Sequence, residues 1–189
     1  MMNNEIFIKN IAAHKALTDK LGLLDAKVYR AAELIAGALR SERKLILCGN
    51  GGSAADAQHM AAELSGRYLK DRRALDAVAL NCNSSAITAI ANDYSYDHVF
   101  ARQVEAHGKK GDVLMAISTS GNSINIINAL IKAREIGLVT IGLTGLHGGR
   151  MAGTTDLLLD VPSDSTPRIQ EMHILIEHTL CEIIEEIMC

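Results

Sequence analysis

The chain has 189 residues and a formal net charge of −3, with 48% hydrophobic and 22% charged residues. That length supports one domain with a substantial core, and the composition excludes a disordered chain. No run of about 18 apolar residues suggests a membrane span. The acidic balance gives no basic footprint for nucleic acid, and 3% aromatic content without Trp leaves no platform for stacked bases.

The N-terminal stretch MMNNEIFIKNIAAHKAL is amphipathic and lacks the basic region and unbroken apolar core of a signal peptide. Cys48, Cys82, Cys181 and Cys189 form no CxxC pair, which is the usage of free thiols in a reducing cytoplasm. Apolar spacing predicts helices over 4–18 and 25–42, then a buried strand in KLILCG, 44–49. SAADAQHMAAELSGRY, 53–68, is predicted helical, with Ser53 and Asp56 spaced like a capping box. A second strand is expected in LDAVAL, 75–80, and helices at 84–92 and 97–107, broken by NDYSY. The pattern continues with strand 112–118, helix 122–136 ended by Gly137, strand 138–144 and strand 156–162 closed by Pro162. A long helix over 167–188, with Pro167 in its first turn, completes the chain.

Nearly all-apolar strands alternating with helices imply a parallel sheet covered on both faces. The expected fold class is therefore α/β, a three-layer α/β/α sandwich on a five-stranded parallel sheet of order 2-1-3-4-5, read as one domain over 1–189 with a helical extension to about residue 42. The surplus helices at both ends suggest packing on partner subunits.

Two loops stand where such a sheet binds ligands. The first strand runs into CGNGGSAADAQH and the third into AISTSGNS. In that strand order the two strands are neighbours whose connections leave on opposite faces, opening a crevice at their C-terminal ends. Each loop feeds a helix N-terminus, where unpaired N–H groups and the helix dipole favour an anion. Gly51 and Gly52 let the backbone approach, and Ser53, Ser118, Thr119, Ser120 and Ser123 add hydroxyl donors. Neither loop has the Lys of a Walker A motif or the spacing of a dinucleotide fingerprint. Ser, Thr, Asn and Gly also serve as plain turn residues; two such loops at one switch point favour a cradle for a small phosphorylated ligand.

His59 and Glu63 lie four apart, hence on one helix face. Gln170 and His178 lie on the last helix, separated by about 12 Å along the axis and roughly 80° around it. Two imidazoles, a carboxylate and an amide oxygen would suit Zn²⁺, although a His/Glu pair at this spacing is more often a surface or hydrogen-bonded pair. His173 competes with His178 as a structural helix residue. Asn92 and Asp93 form a polar break, and Arg67 and Arg168 are open between substrate contact and surface charge.

CGNGGSAADAQHMAAELSGRY, ANDYSYDHVFARQVEAHGKKGDVLMAISTSGNSINIINAL, LTGLHGGRMAG and RIQEMHILIEH together resemble the sedoheptulose 7-phosphate (phosphoheptose) isomerases of the sugar isomerase, or SIS, fold family. The resemblance spans nearly the whole chain. It implies conversion of D-sedoheptulose 7-phosphate to D-glycero-D-manno-heptose 7-phosphate through a cis-enediol, the first step towards heptoses of bacterial lipopolysaccharide core or capsule. It also implies a cytoplasmic homotetramer with active sites between subunits and one Zn²⁺ per site. The family's metal ligands fall on His59, Glu63, Gln170 and His178. Its substrate contacts fall on Asn50, Gly51, Gly52, Ser53, Glu63, Asn92, Asp93, Ser118, Thr119, Ser120, Ser123 and Gln170. Glu63 is assigned as the carbon base and His178 as the acid. Relatives often carry an Asp just before the RIQE segment; here that position is Pro167, and Asp164 is the expected substitute. The alternatives are a non-catalytic SIS-fold regulator that binds the replication initiator, or an isomerase of another sugar phosphate.

Overall fold

The computed structural model describes residues 5–189. Seven α-helices and five strands alternate along them, with short 3₁₀ turns between some. Helices α1 (Ile6–Thr18) and α2 (Asp25–Arg40) precede β1 (Leu45–Gly49); α3 (Gly52–Ser65), β2 (Ala77–Ala79), α4 (Ser84–Asp93) and α5 (Val99–His107) follow. The chain continues through β3 (Val113–Ser118), α6 (Ile124–Glu135), β4 (Val139–Thr144), β5 (Leu157–Asp160) and α7 (Thr166–Met188). Residue 4, the first of the helix predicted over 4–18, lies outside the described residues.

All strand pairings are parallel and the order is β2-β1-β3-β4-β5, as the sequence implied. The two-residue period of a strand sends neighbouring side chains to opposite faces. Leu45 and Leu47 of β1 therefore join Met115 and Ile117 of β3 in a core roofed by α2, α3 and α7. Ile46, Cys48, Leu114 and Ala116 enter a second core under α5 and α6. Burial on both faces explains why the strands read as unbroken apolar runs.

Several boundaries differ from expectation, each for a local reason. Strand β2 keeps only three residues, because it is an edge strand paired with β1 alone through Leu45–Leu47. Helix α3 starts at Gly52, with Gly51 (φ 57°) as its cap and no side-chain capping bond, so the Ser53/Asp56 capping box does not form. It stops at Ser65, not at residue 68. The N–H groups of Tyr68, Leu69 and Lys70 instead donate to the carboxylate of Glu185 on α7, at 2.8, 2.8 and 2.9 Å. Asn92 and Asp93 form the last turn of α4.

Candidate active site

The C-terminal ends of β1 and β3 open into a cleft of about 340 Å³ between the N-termini of α3 and α6. Asn50 to Ser53 form one wall, Ser118 to Ser120 with Ser123 the other, and Gln170 and Thr166 of α7 close the side. No Lys or Arg lines it. Hydroxyls and first-turn N–H groups are left to hold an anion, aided by two helix dipoles.

The walls are fixed from behind. Asn50 and Asn125 exchange amide hydrogen bonds at 3.0 and 2.9 Å, and the Tyr96 hydroxyl donates to Asn50 Oδ1 at 3.1 Å. Asn125 is buried in the first turn of α6, and Ser118 and Ser123 hydroxyls meet at 3.2 Å across the loop. Sequence reasoning passed over Asn125, Tyr96 and Thr166. The available signal was Asn125 itself, a polar residue inside the apolar run INIINAL.

Gly121 carries the loop's sharpest turn, with φ of 64°, and a Cβ there would lie 2.1 Å from the Gly148 carbonyl oxygen. Gly121→Ala must therefore displace backbone, not a flexible side chain. It is expected to weaken binding of inorganic phosphate about tenfold or more, which is about 1.4 kcal/mol, as read by isothermal titration; unchanged affinity would place the anion elsewhere.

A second cluster lies further along α3. Gly52 packs against Gln170, since a Cβ on Gly52 would sit 2.4 Å from the Gln170 amide nitrogen. Seven residues later, about 10 Å along the helix, His59 Nε2 lies 2.9 Å from His178 Nε2 and 3.5 Å from Glu63 Oε1. Helices α3 and α7 thus run side by side in the same direction. The His59 side chain is 42% exposed and that of Glu63 24%, so the cluster is open to a ligand. The His178 ring is held between two others: His59 meets it edge-on at 5.1 Å, and Tyr68 stacks on it at 5.6 Å with 26° between planes.

The expected four-residue metal set is therefore split in this chain: His59, Glu63 and His178 gather, and Gln170 stays with the hydroxyl cleft. Among the described residues no three His, Cys, Asp or Glu side chains form a group that would hold an ion as they stand. The donor chemistry nevertheless suits zinc. Tetrahedral bonds of about 2.0–2.1 Å put two ligand nitrogens roughly 3.3 Å apart, so the histidine pair at 2.9 Å has only to open by a few tenths of an ångström.

Asn92 and Asp93 do not line the cleft; both are exposed, and Asn92 donates to Asp93 Oδ1 at 2.9 Å. Asp164, the expected substitute for the missing Asp, is exposed outside the cleft, and the hydroxyl residue Thr166 stands at its edge instead. Arg168 binds the Asn10 carbonyl at 2.7 Å and pairs with Glu171, which ties α1 to α7. His173 is buried with Nε2 at 3.2 Å from the Thr144 carbonyl, a structural place, and burial pushes its pKa down to about 4.

This arrangement has close counterparts. The SIS domain family matches residues 10–145. A phosphoheptose isomerase of Rhodospirillum rubrum is 54% identical over 170 residues, covering 90% of each chain.

The chain belongs to the phosphoheptose isomerase family of SIS-domain proteins.

Solved structures agree with that membership. Phosphoheptose isomerase from Neisseria gonorrhoeae superposes with a TM-score of 0.86 at 47% identity, over 95% of each chain. That from Francisella tularensis gives 0.88 at 36% identity, over 97% of this chain and 96% of its own.

Proposed function

We propose that this member of the family isomerises D-sedoheptulose 7-phosphate to D-glycero-D-manno-heptose 7-phosphate, supplying heptose for a bacterial surface glycan such as lipopolysaccharide core or capsule. The observation that carries the reading is the coexistence of a hydroxyl-lined anion cleft without basic side chains and a half-buried, solvent-reachable His59–Glu63–His178 cluster on the adjoining helices. A regulator would need the first and have no use for the second.

In this reading the cleft binds the phosphate. Moving the carbonyl from C2 to C1 requires loss of a C1 proton and delivery of a proton to C2. Glu63 takes the C1 proton, leaving the electron pair in a C1–C2 enediolate, and His178 moves protons between the two oxygens before C2 is reprotonated. His59, Glu63 and His178 are also the residues that would hold Zn²⁺, which would supply Lewis-acid polarisation of the carbonyl oxygen. Glu63 and His178 move protons only while not ligating it, because a lone pair given to the metal cannot accept a proton. Gln170 of the same chain, packed on Gly52, is not at hand for the metal.

We also propose that the working form is a cytoplasmic homotetramer with sites completed between subunits. Asn92 and Asp93 are exposed and do not line the cleft of their own chain, and Ile6, Phe7, Ile8 and Leu23 are 65%, 71%, 64% and 81% exposed, apolar surface that a second copy would cover.

The test is NMR-monitored turnover of sedoheptulose 7-phosphate beside a pentulose 5-phosphate, with chelator and with added Zn²⁺. The expected result is formation of the manno-heptose 7-phosphate, lost with chelator and restored by the metal. A folded protein that converts only the pentulose, or neither sugar, would overturn the reading.

A further inference from the structure

We infer that Tyr68 is a positioning residue that sets the orientation of the His178 imidazole, and that Glu185 and Arg72 form a buried clamp holding it there. The inference rests on the functional reading above, in which His178 moves protons.

The clamp starts where α3 ends early. Glu185 is 1% exposed, yet it is an acid beside Ile184 on the buried face of the last turn of α7. Its carboxylate accepts the N–H groups of Tyr68, Leu69 and Lys70 and lies 3.0 Å from Arg72 Nε. Arg72, with its side chain 5% exposed, donates in turn to the carbonyls of Glu63 and Leu64 at 2.9 Å each and of Gly66 at 3.2 Å. The last carbonyls of α3 and the first amides beyond it are therefore satisfied by one ion pair. Arg72 Nε meets Glu185 as an ion pair without a hydrogen bond, while the surrounding backbone bonds hold both side chains. A buried pair so held fixes geometry more than it adds stability.

What that geometry fixes is the Tyr68 ring. Packed against the core formed by α2, α3 and α7, it lies nearly parallel to His178. His59 occupies the edge of the same imidazole. Glu185 is seven residues beyond His178, two turns along the same face of α7. One helix thus carries both the working imidazole and the anchor of the ring that covers it. The face of Tyr68 limits rotation about the His178 side-chain bonds and keeps Nε2 turned to His59, which in turn meets Glu63. The ring, not the phenol hydroxyl, makes this contact.

The experiment compares Tyr68→Phe and Tyr68→Leu with wild type for kcat and KM on sedoheptulose 7-phosphate. Alongside, ¹H–¹³C spectra record the ring-current shift of the His178 side chain, assigned through His178→Gln. Tyr68→Leu is expected to lower kcat about tenfold or more with KM within a factor of two, and to move the His178 ring resonances. Tyr68→Phe is expected to retain both kcat and the shift. Unchanged kcat in Tyr68→Leu would overturn the inference, as would Tyr68→Phe losing as much as Tyr68→Leu, which would assign the role to the hydroxyl. An inactive wild type whose His178 resonances still respond to Tyr68→Leu would refute the isomerase reading and leave the ring contact standing, so the two failures are distinguishable.

Discussion

Glu63→Gln and His178→Ala each lower kcat for the ketose–aldose conversion by about 10²–10⁴-fold, the usual contribution of a positioned acid or base. Neither residue lines the hydroxyl cleft, so the affinity for inorganic phosphate should stay within a factor of two of wild type in both variants. Glu63→Gln preserves shape and removes both the carbon base and the carboxylate that would ligate Zn²⁺. His178→Ala also removes a partner of His59 and the surface against which Tyr68 stacks. Stopped kinetics with intact phosphate binding would separate the chemistry from the cradle. Full activity in both variants would show that the α3–α7 cluster is not where protons move.

The second large effect concerns stability and lies one residue away. Glu177 is fully buried, and neither carboxyl oxygen has a hydrogen-bond partner. Burial first, and the nearby Asp56 carboxylate second, push its pKa up to about 9. Asp56 is itself shifted upward by burial, with His59 opposing. A carboxyl raised in the folded state keeps its proton there while the unfolded chain releases it. Its contribution is fully present below the ordinary pKa near 4.5 and is lost as pH rises towards 9. His173 works in the other sense. Its folded pKa of about 4 means that its contribution is present above 6.5 and lost as pH falls towards 4. The two slopes oppose each other between pH 4.5 and 6.5, so the Glu177 effect stands alone above that.

Stability of the wild type should therefore fall by about 1 kcal/mol per pH unit between pH 6.5 and 9. Glu177→Gln should abolish that slope and gain a few kcal/mol at pH 8. Urea midpoints across this range, at matched m-values, provide the check. A Glu177→Gln curve parallel to wild type would mean that Glu177 is ionised in the folded state.

Much of this molecule was legible before its fold was seen, because the physics involved is local. Five apolar runs of strand length between amphipathic helices left a doubly wound parallel sheet as the economical arrangement. The strand order then placed GNGGS and STSGNS on opposite walls of one crevice, where they are found. Helical spacing set Gln170 and His178 about 12 Å apart along α7, although the family resemblance placed both in one metal site. The structure sends the first to Gly52 and the second to His59.

What escaped the sequence depends on distant partners. The end of α3 is decided by Glu185, 117 residues beyond Tyr68, which claims the amides that would have extended the helix. Ser53 and Asp56 matched a capping box only because spacing does not reveal that the backbone turns at Gly51 with positive φ. The Asn50–Asn125 exchange joins residues 75 positions apart and carries no periodic signature. Pro167 left a gap in the expected sugar contacts, and the hydroxyl residue that borders the cleft came from Thr166 beside it, not from Asp164.

The measurement that bears most directly on the central claim is deuterium incorporation from D₂O during reaction of sedoheptulose 7-phosphate with wild type and with Glu63→Gln. The account predicts that wild type forms the heptose 7-phosphate with solvent deuterium at C2. It predicts that Glu63→Gln yields neither product nor deuterium at C1 of the recovered ketose. Product formed by Glu63→Gln at the wild-type rate would contradict it.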